Sequence, residues 1–348
     1  MDNISNITIV CGPTASGKSN FALEIAQKTN GVIINADAFQ VYENLEICTA
    51  SPSKEDKGIV PHYLYNFVSP TDQYTVGKYV LDANEIIKKV VDTQKHPIIV
   101  GGTGLYIYSL LYGLDDIPYI NDEVKNEVDE LFASLGQEKC YSDLAALIPD
   151  LKNHVNPFDH LRTKRVYEVF KMTGKPLWYF YKNTRKGTFL ENKANEKLNY
   201  MHSDLFDFQN ITATEKDVIN RRGLLDNISV SSNSSILKDK QSISQDDNNG
   251  IITRYHIRLY KILPNRSNLY EVINQRVIHM VNNGAMKEVN MIRDNWKTYS
   301  LSAKKTILAQ ELYEYISGNL TLDVAILGAQ KRTRNYAKRQ YTWFKNKL

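Results

Sequence analysis

Cysteine is scarce: Cys11, Cys48 and Cys140 are the only three in 348 residues, and they lie far apart. That spacing excludes a C-x-x-C metal or redox pattern, and an odd number argues against a disulfide framework, so a reducing compartment is expected. Long hydrophobic runs are missing too. None approaches the roughly 20 residues that a bilayer span requires. Residues 1–6 carry no basic stretch and lead into Ile7-Thr8-Ile9-Val10, too short for a signal sequence, so the expectation is a cytoplasmic protein with no membrane partner. Nor does one sign of charge dominate. A net charge of +4 permits an acidic partner such as nucleic acid without demanding one. What remains is a chain with 42% hydrophobic and 24% charged residues, enough for a substantial core in two domains, or in one domain with an insertion.

Up to about Pro118, short apolar runs alternate with longer helical patterns, as parallel βαβ units do. Ile7 to Val10, Val32 to Ile34 and Pro97 to Val100 read as buried strands. Ser19 to Lys28 and Thr75 to Val91 read as the crossover helices between them. The expected fold is therefore α/β, a parallel sheet of the P-loop NTPase type, with residues 1–120 forming the first part of the core. Strand signals then stop. Glu123 to Leu135, Tyr141 to Leu147 and His160 to Met172 look helical, which makes 121–185 a helical insertion. Residues 186–252 lose periodicity and grow rich in Ser, Asn and Asp, so an extended surface loop is expected there. Residues 253–348 complete the core with a strand at Tyr255 to Leu259, a helix at Ser267 to Asn282 and a final helix over about Thr321 to Lys345. That last helix sets Lys331, Arg334, Lys338, Tyr341 and Lys345 on one face, a basic stripe or an ordinary solvated surface.

The motif with most chemistry is Gly12-Pro13-Thr14-Ala15-Ser16-Gly17-Lys18-Ser19, which satisfies G-x-x-x-x-G-K-[ST] between a predicted strand and a predicted helix. Such a loop turns backbone N–H groups around phosphate oxygens, Lys18 adds a full charge, and the Ser19 hydroxyl can ligate Mg²⁺. The substrate should therefore carry a diphosphate or longer. Ordinary P-loop ATPases place a metal-binding aspartate at the end of a second core strand. Here Ile98-Ile99-Val100 runs into Gly101-Gly102-Thr103 instead, which disfavours a kinase. The nearest strand-end carboxylate is Asp37, where ligands bind in open α/β sheets. Its type and place fit a general base, an outer-shell Mg²⁺ partner or a helix N-cap, and the residues alone leave these open. His62, between Pro61 and Tyr63 with no second histidine nearby, reads as structural.

Taken together, these motifs resemble the tRNA dimethylallyltransferase (tRNA isopentenyltransferase) family of bacterial type. The pieces are the loop at Gly12 to Ser19, D-x-x-Q-V-Y at Asp37 to Tyr42, T-A-x-P at Thr49 to Pro52, and GGTGLY at Gly101 to Tyr106. They continue with D-x-x-R-x-x-R at Asp159 to Arg165, R-x-x-L-[HY]-x-x-I-x-x-R at Arg266 to Arg276 and AKRQ-x-TW at Ala337 to Trp343. The resemblance implies transfer of a dimethylallyl group from dimethylallyl diphosphate to the exocyclic amine of the adenosine 3′ to the tRNA anticodon, with Mg²⁺. It implies Asp37 as the base and Thr103 on the bridging region of the diphosphate. Gly12 to Ser19 and Arg266 would hold the phosphates, with Phe39 and Leu105 keeping the allylic carbon dry. Asp37, Ala38, Phe39 and Gln40 would line the acceptor pocket, and Lys125, Leu161, Arg162, Thr163, Lys164 and Arg165 would contact the anticodon stem-loop. A monomer is the default for such an enzyme. Two other readings stay in play: an isopentenyltransferase acting on free adenine nucleotide, and a tRNA binder without turnover. The second draws on departures from the family pattern, which has a serine at Ala38, a lysine at Ser51 and a glycine at Leu308.

Overall fold

A computed structural model of the chain describes residues 5–181, 228–232 and 250–348. It divides into two compact units, Met1–Leu114 with Asp207–Leu348, and Asp115–Phe206.

The first unit is built on a six-stranded sheet of order β3-β2-β4-β1-β6-β5. Its strands are β1 (Asn6–Cys11), β2 (Gly31–Asn35), β3 (His62–Tyr63), β4 (His96–Gly101), β5 (Ile228–Ser232) and β6 (His256–Ile262). All neighbours run parallel except β5, which pairs antiparallel with β6. The register aligns Cys11 with Gly101 and Asn35 with Val100, so the C-terminal ends of β1, β4 and β2 finish side by side. Side-chain alternation then sorts the core into two layers. On one face Val10, Ile33, Ile98 and Ile262 pack against Phe21, Ala22 and Ala26 of helix α1 (Lys18–Lys28). On the other, Ile9, Cys11, Ile34 and Ile99 pack against residues that lie on α3 and α4, among them Tyr79, Ala83, Ile107 and Leu110. These helices are α3 (Val76–Asp92) and α4 (Gly104–Tyr112); the short α2 (Lys54–Ile59) precedes them and buries none of its residues. A doubly wound parallel sheet needs this cover on both faces, and the expected α/β class is what the chain adopts.

Within the stretch expected to be a surface loop, 186–252, Ile228–Ser232 instead forms the edge strand β5. Its Ser-rich composition hides it from periodicity, and its backbone pairing to β6, not side-chain pattern, defines it. The remainder of that stretch up to residue 249 lies outside the described residues.

The second unit holds α5 (Asp122–Leu147), α6 (Leu151–His154) and α7 (His160–Thr173). The two helices expected over 123–147 meet at Gly136, where φ 76 and ψ 168 interrupt α5. Asp159 accepts the Arg162 amide to start α7, and Gly174 at φ 68 stops it.

Leu308, at the position where the family pattern carries glycine, has φ 74 and is almost fully buried in the core. A bulky residue held at positive φ costs on the order of 1–3 kcal/mol. Truncating it to alanine should lose about 2–5 kcal/mol of buried contact. Glycine in regular structure is usually about 1 kcal/mol worse than alanine, and here that order should vanish or reverse because glycine alone releases the strain. Urea midpoints of Leu308→Ala and Leu308→Gly give the comparison, and a clearly less stable glycine variant would contradict it.

Candidate active site

The phosphate-type loop leaves β1 at Gly12 and enters α1 through Gly17, whose φ of 86 is a conformation glycine adopts without penalty. Two long-range ties fix the loop. The Thr14 amide donates to Gln340 Oε1 at 2.8 Å, and the Arg276 guanidinium donates to the Thr14 hydroxyl. Gln340 lies on the C-terminal helix Leu322–Lys347 and donates its Nε2 to the Gly102 carbonyl at 2.8 Å. One carboxamide thus struts the ends of β1 and β4. Lys18 folds back to the Pro13 carbonyl at 3.3 Å.

Asp37 follows β2 and is buried. Its backbone is clamped by Asn35, which accepts the Asp37 amide and donates to the carbonyls of Asp37 and Leu64, at 2.9–3.0 Å. Asp37 Oδ1 accepts the Phe39 amide at 3.0 Å. The capping reading is therefore answered in part: the carboxylate orders a turn, since no helix follows it before Lys54. The next peptide is held from β4, with Ala38 N donating to Thr103 Oγ1 at 2.9 Å and Thr103 N to the Ala36 carbonyl at 3.1 Å. Gly101 makes this approach possible, because a β-carbon there would overlap the Ala36 backbone.

The electrostatics tie the pieces together. Desolvation pulls the Lys18 ammonium down to about 8, against the attraction of the Asp37 carboxylate and with repulsion from Arg276. The Arg276 guanidinium is likewise lowered by burial and raised by Asp37. Burial lifts the phenols of Tyr65, Tyr106 and Tyr336, and the charge of Asp37 adds to each shift. Asp37 thus lies within electrostatic reach of two cations and three phenols. Ser16 Oγ and Arg276 Nε are buried there with no hydrogen-bond partner, donors of the kind a phosphate would engage.

Several expected site residues also make structural contacts of their own. Arg266 is exposed at the start of the helix Arg266–Met280, with its guanidinium 4.8 Å from the Tyr341 ring centroid. Arg276 of the same motif reaches the loop as well, and Arg266 follows β6, whose last residue, Ile262, abuts Gly12. Ten residues of helix separate the two by about 15 Å. Gln40 donates its Nε2 to the carbonyls of Thr49 and Ala50 at 3.0 and 2.8 Å, which shapes the segment after Asp37. Ser51, where the family carries lysine, shares its hydroxyl with Thr49 at 3.0 Å and accepts from Asn66 at 3.2 Å. Phe39 packs on Tyr336, while Leu105 is 49% exposed. Ala337 and Gln340, from the motif beside the basic stripe, are buried. His62 bonds the Val60 carbonyl through Nδ1 at 2.8 Å.

In the second unit, Leu161 and Arg162 are exposed on the first turn of α7, and Arg162 pairs with Asp159 at 3.4 Å. Arg165 pairs with Glu168 at 2.9 Å, Lys164 with Asp129, and Lys125 with Asp122 at 2.8 Å. Thr163 is a correction. It is fully buried, its hydroxyl donating to the Asp159 carbonyl and accepting from Gln137, because its place on α7 faces inward. It cannot touch an RNA surface.

A glycine-rich loop leading from a central parallel strand into a helix, with a carboxylate after the strand two places along the sheet, is the architecture of an α/β protein of P-loop type. Comparison with known proteins narrows this class. A model of the IPP transferase family matches residues 40–190 and 183–347. The chain is 33% identical over 343 residues to a tRNA dimethylallyltransferase of Rickettsia conorii, covering 99% of this chain and 77% of that one. It is also 33% identical over 347 residues to one of Ehrlichia chaffeensis, covering 99% and 92%. Among solved structures it is similar to the tRNA delta(2)-isopentenylpyrophosphate transferase of Staphylococcus epidermidis, at 28% identity and TM-score 0.57, over 99% of this chain and 91% of that one. A eukaryotic dimethylallyltransferase acting on tRNA shares the fold at TM-score 0.66 and 19% identity, over 98% and 70%. The chain belongs to the IPP transferase family, whose relatives here carry the name tRNA dimethylallyltransferase.

Proposed function

We propose that this chain transfers a dimethylallyl group from dimethylallyl diphosphate to the exocyclic amine of the adenosine 3′ to the anticodon in tRNA, releasing diphosphate. The observation that carries the reading is a phosphate-type loop with Lys18 folded onto it and Arg276 braced against its Thr14, both cations in the field of the buried Asp37. An adenine amine is a weak nucleophile because its lone pair is delocalised into the ring, so a carboxylate that takes its proton helps the attack. As the amine nitrogen bonds to the allylic carbon, the carbon–oxygen bond breaks and its electron pair leaves on diphosphate. The loop amides, Lys18 and Arg276 then meet the developing charge. In this reading Asp37 is the base, and the exposed Leu161 and Arg162, with Lys125, Lys164 and Arg165, meet the anticodon stem-loop.

Mg²⁺ fits the donor set. The described residues hold no cluster of three or more carboxylate, histidine or cysteine ligands. Magnesium, however, commonly binds one or two protein oxygens and completes its shell with water and substrate phosphates. Ser19, with Asp37 in the outer shell, would supply the protein's part, and the ion would neutralise diphosphate charge. Among the described residues no helix is long and apolar enough to cross a membrane, and we take the enzyme to work as a cytoplasmic monomer.

Incubating the protein with Mg²⁺, labelled dimethylallyl diphosphate and unmodified tRNA, beside a reaction with AMP, tests this. Label in tRNA is expected. Label in AMP alone would move the assignment to the nucleotide enzyme, and tRNA retention without label would make the chain a binder.

The acid–base state of the loop gives a pH prediction. Lys18 titrates at about 8 and attracts diphosphate only when protonated. Its charge is complete below that value and lost as pH rises through it, so kcat/KM for dimethylallyl diphosphate should fall across that limb. In Lys18→Arg the limb should move upward, since guanidinium stays protonated. An unmoved limb would assign it to another group.

A further inference from the structure

The positive charge of this chain is gathered on one helix. Leu322–Lys347 carries seven lysines and arginines against one carboxylate, Asp323, an excess larger than the net +4 of the whole chain, so the remainder is on balance acidic. Helical geometry divides those charges between two faces. Ala329, Thr333, Ala337, Gln340 and Phe344 form the buried face, and Arg332 is held by the Glu311 carboxylate. Arg334, expected on the stripe, is tied instead to the Asn274 side chain.

On the outer face Lys331, Lys338 and Lys345 are exposed and recur every seven residues, two turns apart, so they form a line about 21 Å long. Arg339 and Lys347 flank it and are exposed too. Among the described residues none of these five meets a carboxylate. By contrast Lys89, Lys125 and Lys139 each pair with a carboxylate three or four residues away on their own helix. Here the positions between the lysines on the same face, Asn335 and Thr342, are neutral. Attraction to the helix dipole accounts for Lys345 and Lys347 in the last turn, but it falls off before Lys331 and Lys338. The fold therefore holds a line of cations that its own interactions do not use, and such a line is complementary to an external row of anions.

We propose that Lys331, Lys338 and Lys345 bind the sugar–phosphate backbone of tRNA, on the outer face of the helix whose inner face braces the phosphate loop through Gln340. This rests on tRNA being the acceptor. Ammonium groups on long stems meet phosphates as point charges and carry no base readout. The stripe thus adds affinity common to different tRNAs and leaves the choice of base to the acceptor pocket.

Lys331→Gln/Lys338→Gln/Lys345→Gln removes the three charges from exposed positions and leaves the buried face intact. Retention of tRNA on filters is measured from about 50 to 200 mM salt, beside the unaltered protein. Each phosphate contact contributes about 0.7–0.9 to the slope of log affinity against log salt, so the slope should fall by about two to three and retention should weaken about tenfold or more. The triple Lys→Arg variant should restore both. In transfer assays KM for tRNA should rise, with kcat at saturating tRNA and KM for dimethylallyl diphosphate within about twofold of normal. An unchanged salt slope, a loss that arginine fails to restore, or no retention of tRNA by the unaltered protein would overturn the proposal. Retention is read without turnover, which keeps the two readings apart. A protein that binds tRNA through the stripe yet transfers nothing would uphold the proposal and reject prenyl transfer, and transfer with an unchanged slope would do the reverse.

Discussion

Asp37→Asn is expected to lower kcat for transfer to tRNA by about 10²–10⁴, the range a positioned general base contributes. The amide keeps the shape of the carboxylate, and its oxygen can still accept the Phe39 amide that Asp37 Oδ1 holds, so the turn should survive. Binding of tRNA, measured by filter retention, should change only a few-fold, and KM for dimethylallyl diphosphate should stay near its normal value. A variant that retains tRNA and diphosphate affinity but fails to transfer would isolate proton removal as the lost step. If activity returned with excess Mg²⁺, the outer-shell metal role would take its place.

Lys18→Met should have the second largest effect, and on the other substrate. It removes the cation nearest the loop carbonyls without opening a large void, since the methionine stem replaces most of the lysine's. Removing one preorganised charge from a dry site costs a factor of about 10²–10³. Here it should appear in kcat/KM for dimethylallyl diphosphate, with tRNA affinity untouched. Arg276 would still be present, so a residual rate is expected, and Lys18→Met/Arg276→Met should lose it. Comparable losses for tRNA affinity would mean that Lys18 serves the fold or the RNA instead of the diphosphate.

Much of this site is readable because its parts are local. The loop at Gly12 to Ser19 announces itself by glycine spacing between a strand and a helix. Asp37 and Gly101 to Thr103 lie at the ends of apolar runs that the parallel-sheet pattern marks as strands. What could not be read is whatever depends on parts far apart in sequence. That Arg276 also reaches the loop, besides the expected Arg266, requires knowing which turn of the helix meets it. Spacing gives the distance between them but not the direction. Gln340 and Tyr336 lie more than three hundred residues from Thr14, and no local pattern distinguishes their buried face from the basic stripe beside it. Thr163 shows the reverse error: it was carried along by the arginines around it, although α7 turns it inward. The strand Ile228–Ser232 owes its existence to a partner edge, which composition cannot reveal.

The strut made by Gln340 also bears on how the chain is synthesised. A ribosome emits Gln340 326 residues after Thr14, so through that interval the Thr14 amide and the Gly102 carbonyl lack this partner. The nascent chain can fold much of its sheet while the phosphate loop still lacks this brace. Only when the helix Leu322–Lys347 docks does Gln340 tie the loop after β1 to the loop after β4. Turnover is therefore a sensitive reporter of whether the last helix has found its place, more so than the spectroscopic signal of a sheet that could form without it.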